Sequence, residues 1–255
     1  MKSVREWVPA LVVFAVVIAV WEGSISAFHI QQFLLPRPSD IVKTFWTARH
    51  TLWPAGWYTF KEALGGFAIG SALGIVVATI VGRFKGVGTA IMPIAIAANA
   101  VPIIAFAPIA GAWFGEVSPR SKIAIAAVLC FLPVMVNTLR GLQSAKPRQI
   151  ELMRSYAASE LEIWRHVRVP TALPFVFTAL KVASVLAMIG AIVGEYFGGA
   201  FNALGVLINS DAQVFDFVTA WAGILVASIL GLALYGAVAG TERLVVRWAP
   251  DTRDA

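Results

Sequence analysis

The segment from Lys146 to Pro170 reads KPRQIELMRSYAASELEIWRHVRVP, and it is the longest polar stretch in an otherwise apolar chain. Apolar sequence of membrane-spanning quality lies on both sides of it. Such a segment is not expected to line a channel, but it is suited to binding a soluble partner protein. It therefore predicts a chain of membrane spans that carries one docking loop.

The composition predicts an integral membrane protein. The chain has 255 residues, of which 59% are hydrophobic and 13% are charged, and its mean hydropathy is +0.79. Soluble domains contain about 25% charged residues. Apolar runs of about 20 residues favour helices over a β-barrel, whose strands are about 10 residues long. A net charge of +6 is typical of cytoplasmic loops in such a protein and does not indicate nucleic-acid binding.

Hydropathy predicts an all-α, polytopic helical bundle that forms one transmembrane domain over residues 1–255. Its six spans are expected at about 8–27, 60–82, 88–112, 122–141, 172–195 and 216–240. The first run is too long for the apolar core of a signal peptide, so it is interpreted as a span. Lys and Arg lie mainly in the segments that are cytoplasmic if the N-terminus is inside. Both termini and the 146–170 loop are therefore expected in the cytoplasm.

Several features within and between the spans bear on packing. Gly66, Gly70 and Gly74, and also Gly236 and Gly240, recur at a spacing that lets helices approach closely. The Trp-rich stretch 36–57 is expected to form a helix at the membrane interface. The lone Cys130 lies in an apolar run and is expected to be a small core residue.

The third span contains three prolines, which interrupt its helix. Pro93, Pro102 and Pro108 each remove a backbone hydrogen bond. Broken helix at membrane depth is tolerated where it lines a cavity or is buried by protein. We expect this span beside the translocation path, although a kinked packing helix, or a span that ends near Pro102, would fit the same residues.

The 146–170 loop is predicted to form two short helices. After Pro147, the residues Leu152, Met153 and Tyr156 make one apolar stripe. The small residues 157–159 form a corner, and Ser159 with Glu162 has the form of a capping box that begins the second helix. Pro170 is expected to end that helix. The loop could lie on lipid, but its three glutamates disfavour an anionic membrane surface, and a groove on a soluble domain suits it better.

The loop resembles the coupling loop of permease subunits in binding-protein-dependent ABC importers. Glu151-Leu152-Met153 stands at the Glu-Ala-Ala triplet of that motif, Ala157 at its Gly, and Val167-Arg168-Val169-Pro170 at its Ile-x-Leu-Pro end. Alanine tolerates a positive φ poorly, so the turn geometry at Ala157 is left open. The rest of the chain is similar to the nitrate, sulfonate, taurine and bicarbonate branch, at 35–39, 101–102, 113–115, 131–133, 137–138, 172–174, Glu195 and 204–208.

The resemblance implies a six-span type I importer permease in the bacterial cytoplasmic membrane. Its implied partners are a second permease copy, two ATP-binding subunits that hold ATP and Mg, and an extracytoplasmic solute-binding protein. The residues expected to contact the ATPase subunit are Glu151, Leu152, Met153, Arg154, Ser155, Tyr156, Ala157, Ala158, Ser159, Leu161 and Glu162.

No motif for catalysis or for a cofactor occurs in the sequence. It lacks a phosphate-binding Gly-x-x-x-x-Gly-Lys-Ser/Thr loop, the three histidines lack metal-ligand spacing, and Gly-x-Ser-x-Gly is absent. We therefore expect a permease that is not itself an enzyme. Polar groups in or near spans often mark a pathway, and the candidates for the path or gate are Asn99, Pro102, Asn137, Ser184 and Glu195. Glu195 fits equally well as a solvated interfacial carboxylate.

Two rival functions and a range of solutes remain open. A secondary carrier or channel would show broken spans at matching positions in two halves, and only one such span is found. A membrane-embedded enzyme would need convergent catalytic residues. The related branch carries small anions, and other related permeases carry heterocyclic vitamin precursors. Lys181 is expected to extend to the cytoplasmic surface, and the low positive charge of the spans favours a neutral or weakly anionic solute.

Overall fold

The computed structural model describes residues 4–84, 86, 91, 93, 94, 97 and 102–248, with side chains from residue 8 onward. The described part is helical, with short connecting turns. The helices are α1 (Val4–Ala27), α2 (Pro38–Thr47), α3 (Arg49–Arg83), α4 (Ala107–Phe114), α5 (Pro119–Gln143), α6 (Pro147–Ser155), α7 (Glu160–Ile163), α8 (Val169–Tyr196), α9 (Leu204–Gln213) and α10 (Phe217–Val245). A 3₁₀ turn (Ile103–Ala105) precedes α4, and a π-helix (Trp164–Arg168) joins α7 to α8.

Five of these helical segments are long and apolar enough to cross a membrane. They are α1, α3, α5, the continuous segment from α7 through α8, and α10. A helix needs about 20 apolar residues to span the hydrocarbon layer. The chain is therefore a multi-pass, all-α membrane protein, as predicted. Ten residues in the first part of the predicted third span, including Asn99, lie outside the described residues, and its final part forms the 3₁₀ turn and α4.

The bundle is built on the close packing of α3 and α8 against α5. The Gly66, Gly70 and Gly74 row faces α5, and a Cβ added at Gly70 would overlap the carbonyl oxygen of Ala127. Glycine is required there because the two backbones meet at that point. By contrast, Gly236 and Gly240 have no described atom within 4 Å of an added Cβ, so this pair makes no close helix contact within the described residues.

The bounds of α2 and α3 differ from those that the hydropathy pattern predicts. The predicted interfacial stretch 36–57 is divided between α2 and the first turns of α3, which begins at Arg49 and continues past Pro54. Pro54 is the sixth residue of α3, beyond the four N–H groups that lack helical partners, so it removes one hydrogen bond of the helix. Trp46, Trp53 and Trp57 remain exposed. The α1 helix contacts α2, and its Trp21 ring meets the Trp221 ring of α10 edge-to-face. Most of its side chains are exposed.

Candidate functional site

The 146–170 loop forms a sharp corner between α6 and α7, as the sequence predicts. The corner residue, Ala157, has φ 54°. The Ala157 N–H donates to the Arg154 carbonyl (2.9 Å) and the Ala158 N–H to the Met153 carbonyl (3.1 Å). This is the Schellman arrangement, in which the residue after the helix adopts a left-handed conformation that usually requires glycine. Ala157 takes the positive φ that the resembled motif assigns to glycine.

The α7 side of the corner is fixed by the predicted capping box, which is confirmed. The Ser159 N–H donates to the Glu162 carboxylate (2.7 Å), and the Glu162 N–H donates to the Ser159 hydroxyl oxygen (3.3 Å). An ion pair between Arg154 and Glu160 (2.8 Å) links the two helices across the turn. These contacts order a loop that has almost no buried core of its own.

Large apolar side chains project from this corner into solvent. The exposed fractions are 57% for Leu152, 78% for Tyr156 and 70% for Leu161. On the inner side, Ile163 and Val167 are buried against the bundle. A shallow cavity of about 510 Å³ lies between the corner and the spans, lined in part by Met153, His166 and Trp248. The exposed apolar surface, set on an ordered scaffold, has the form of a protein-docking site.

The corner is joined to a span by an unbroken helix. Pro170 was expected to end the second loop helix, and that prediction is wrong: residues 160–196 form one continuous helical segment. The π-helix at 164–168 changes the hydrogen-bond register, and the Val169 N–H donates to the Trp164 carbonyl. Pro170 then occupies the first turn of α8, where its missing N–H and its ring are tolerated.

The predicted pathway residues do not form one polar cluster within the described part of the chain. Pro102 is exposed at the start of the 3₁₀ turn. Asn137 donates to the Pro133 carbonyl of its own helix (2.8 Å), and the buried Ser184 donates to the Lys181 carbonyl (2.7 Å). Lys181 forms an ion pair with Glu242, near the C-terminal end of α10 (2.7 Å).

Glu195 lies at the other end of the long helical segment and is buried, with 1% of its surface exposed. The alternative of a solvated carboxylate is therefore wrong. The Thr59 hydroxyl donates to its Oε1 (2.7 Å), and the Gly205 N–H donates to its Oε2 (2.6 Å). The Leu204 N–H donates in turn to the Thr59 hydroxyl oxygen (3.0 Å). Glu195 and Thr59 thus cap the N-terminus of α9, where backbone N–H groups otherwise lack partners.

Two further charged residues of this region were missed by sequence reasoning. Glu62 and Lys122 are both buried, and both stand at the starts of predicted spans, where a charge is ordinarily interfacial. The Lys122 ammonium donates to the backbone carbonyls of Glu116 and Ser118. The sequence did contain a signal for both residues, because each is an ionisable residue beside an apolar run. We call Glu62, Lys122, Glu195 and Thr59, with the N-terminus of α9, the Glu195 cluster.

An apolar groove of about 450 Å³ lies between α8 and α10. Aliphatic side chains form most of its wall, and its polar groups include the Tyr196 hydroxyl and the Ser228 hydroxyl. Lys122 and Lys181 both have their partners outside this groove. The groove therefore offers an apolar wall with hydroxyl groups and no lysine.

Comparison with known proteins gives consistent matches over nearly the whole chain. The family described as "Binding-protein-dependent transport system inner membrane component" matches residues 70–247. The formylaminopyrimidine transport permease protein ThiX of Halalkalibacterium halodurans is 33% identical over 253 residues, which cover 97% of this chain and 98% of that protein. The riboflavin transport system permease protein RibX of Chloroflexus aurantiacus is 31% identical over 248 residues, covering 95% and 91%.

The fold matches solved structures as well. A chain from the crystal structure of an amino acid ABC transporter with histidines superposes with a TM-score of 0.59 at 17% sequence identity. The match covers 80% of this chain and 96% of that chain. At this identity the likeness concerns the fold alone.

Proposed function

The chain belongs to the family of binding-protein-dependent transport system inner membrane components, and we propose that an ATPase subunit drives it through the 146–170 corner. The resemblance found in the sequence is confirmed, since permeases named for sulfonates, taurine and nitrate also match. The protein is a permease subunit of an ABC importer. What remains to be proposed is how it is powered and what it carries.

The observation that carries the proposal is the exposed apolar surface of the ordered corner. Leu152, Tyr156 and Leu161 are large, apolar and exposed, although the capping box and the Schellman turn hold the backbone in place. Aromatic and aliphatic anchors of this kind are typical of the centre of a protein interface. The continuous helix from Glu160 to Tyr196 supplies a direct mechanical link from the corner to a span.

The remaining parts of the assembly are proposed from the family resemblance. Two copies of the permease bind two ATPase subunits, which hold ATP and Mg, and an extracytoplasmic protein delivers the solute. The corner then faces the cytoplasm of a bacterium, with both termini on the same side, and the Glu195 cluster faces outward. The excess of Lys and Arg on the corner side of the chain supports this orientation.

For the solute, we favour a neutral or weakly anionic heterocycle over a small anion such as nitrate or taurine. The relatives named for formylaminopyrimidine and riboflavin match at higher identity than those named for taurine and nitrate. The groove between α8 and α10 has an apolar wall with hydroxyl groups, which suits a flat ring better than a compact anion. Uptake into proteoliposomes of riboflavin, a pyrimidine and taurine, each presented by its binding protein, would separate these classes.

The docking proposal is tested by capture of the ATPase subunit on Tyr156→Asp. We expect this charge, placed at the most exposed of the three apolar side chains, to abolish co-purification without loss of folded permease. Phe201→Asp is the matched control, because Phe201 is 95% exposed but lies at the α9 end of the bundle. It should capture the ATPase as the unmodified protein does. Capture that survives Tyr156→Asp unchanged would refute the proposal.

A further inference from the structure

Two carboxyl groups meet inside the Glu195 cluster. Glu62 of α3 is 4% exposed and Glu195 of α8 is 1% exposed. Glu62 stands three residues after Thr59 on the same face of α3, and Thr59 donates to Glu195, so the two carboxyl groups are neighbours in the α3–α8 contact. Acidic side chains within membrane-spanning helices are rare, and two that are buried as neighbours call for a physical explanation.

The other groups of the cluster cannot neutralise this pair fully. Both oxygens of Glu195 already accept hydrogen bonds, from Thr59 and from the Gly205 N–H. The Lys122 ammonium is directed at the carbonyls of Glu116 and Ser118. The Oε2 atom of Glu62 is buried and accepts a hydrogen bond from no described group. One lysine therefore stands near two carboxyl groups and donates to neither.

A proton on Glu62 would remove the repulsion between the two carboxyl groups. Two ionised carboxylates repel each other and share a site only when one of them is protonated. A protonated carboxyl group also changes from an acceptor to a donor, which is what a contact with the carboxylate of Glu195 requires. The surrounding ionisable groups are Tyr58 of α3, Lys122 of α5, Tyr196 of α8 and Glu116 of the α4–α5 turn. The α9 helix contributes backbone N–H groups, and its Asp211 lies well beyond its first turn.

We propose that Glu62 and Glu195 together form a binding site for one proton, in which the Glu62 hydroxyl donates to the Glu195 carboxylate. The bound proton keeps Glu195 in place as the cap of α9. Glu62 is thus a positioning residue that acts on α9 through Glu195. The nearby Lys122 disfavours a metal cation in the same place, because its positive charge would oppose a second one.

The consequence is a single hydrogen-bonded path that docks α9 on the bundle. The Glu62 hydroxyl donates to Glu195, and Glu195 also accepts from Thr59 and from the Gly205 N–H. Thr59 in turn accepts from the Leu204 N–H. A Cβ added at Gly205 would stand 2.6 Å from Glu195 Oε2, so glycine is needed for the carboxylate to approach this closely. Loss of the proton would place two negative charges side by side beneath the start of α9.

Infrared spectroscopy of the purified full chain tests the proton directly. The unmodified protein at neutral pH should show the C=O stretching band of a protonated carboxylic acid, and Glu62→Gln should remove it. Glu116→Gln is the control, since Glu116 lies on the exposed α4–α5 turn, and should leave the band unchanged. A band that persists at full intensity in Glu62→Gln would overturn the proposal.

Hydrogen exchange over residues 204–213 tests the positioning role. Glu62→Gln keeps a donor toward Glu195, so α9 should exchange as in the unmodified protein. Glu62→Leu removes the donor, and exchange should be at least about tenfold faster, as expected for a lost hydrogen bond to a charged group. Equal exchange rates in the two variants would overturn the role. If Glu62→Leu does not fold, the infrared result decides alone. Neither measurement needs an ATPase subunit, so their outcome is independent of the docking proposal.

Discussion

The corner at 146–170 and the Glu195 cluster are opposite in chemistry. The corner places large apolar side chains in solvent, whereas the cluster buries acids and a lysine among the spans. Both depart from the usual distribution of residues, but only the cluster finds nearly all its partners within the chain. The corner has an ordered backbone but leaves apolar side chains uncovered, which is what a docking surface requires. The cluster instead holds helices of the same chain together.

One helical segment connects the two regions. It runs from Glu160 at the corner to Tyr196, beside the cluster, and its 37 residues span about 55 Å at 1.5 Å per residue. A displacement at the corner therefore has a rigid route to the start of α9.

Glu195→Leu should cause the largest loss of stability. It leaves the Thr59 hydroxyl and the Gly205 N–H without their acceptor, and each hydrogen bond to a charged group contributes about 1.5–3 kcal/mol. Thermal unfolding in detergent measures the loss, with Glu195→Gln as the milder control because it keeps an acceptor oxygen. The contrast between the regions fails if Tyr156→Asp at the corner destabilises the fold as much.

Gly70→Ala should destabilise the spans between the two regions. The added Cβ overlaps the Ala127 carbonyl, and overpacking of this kind costs about 1–3 kcal/mol. Gly236→Ala is the matched control, because open space surrounds that position, and its unfolding temperature should not fall. If both variants unfold at the same temperature, the α3–α5 contact does not require glycine at position 70.

Ala157→Val should disturb the corner alone. A β-branched residue is strongly disfavoured at φ 54°, and a left-handed conformation costs L-residues about 1–2 kcal/mol. Capture of the ATPase subunit should weaken, whereas Ala157→Gly should retain it, since glycine adopts this conformation without strain. Full capture by the valine variant would show that the turn geometry is unimportant.

Arg154→Ala should have the smallest effect. The Arg154–Glu160 pair is exposed at both ends, and such pairs contribute about 0.2–1 kcal/mol. We expect capture of the ATPase to be nearly unchanged in physiological salt. If Arg154→Ala reduces capture of the ATPase as much as Tyr156→Asp does, then the ion pair, and not the apolar side chains, is the centre of the docking surface.

The sequence predicts the corner better than it predicts the cluster, for a physical reason. The corner is local: its stripe, its capping box and its turn are set by residues a few positions apart, and hydropathy marks the spans on either side. The cluster joins residues 62, 122, 195 and 205 of four helices, and the burial of each charge depends on the others. The wrong expectation for Pro170 has a similar origin, because the π-helix that accommodates it is a register change that no residue pattern marks.

Protection of a single cysteine at the corner is the most direct test of the central claim. The one native cysteine, Cys130, is fully buried, so Tyr156→Cys and Phe201→Cys each introduce one reactive thiol. With the ATPase subunit bound, maleimide labelling should fall sharply at position 156 and stay unchanged at position 201. Equal labelling at position 156 with and without the bound ATPase subunit would contradict the account.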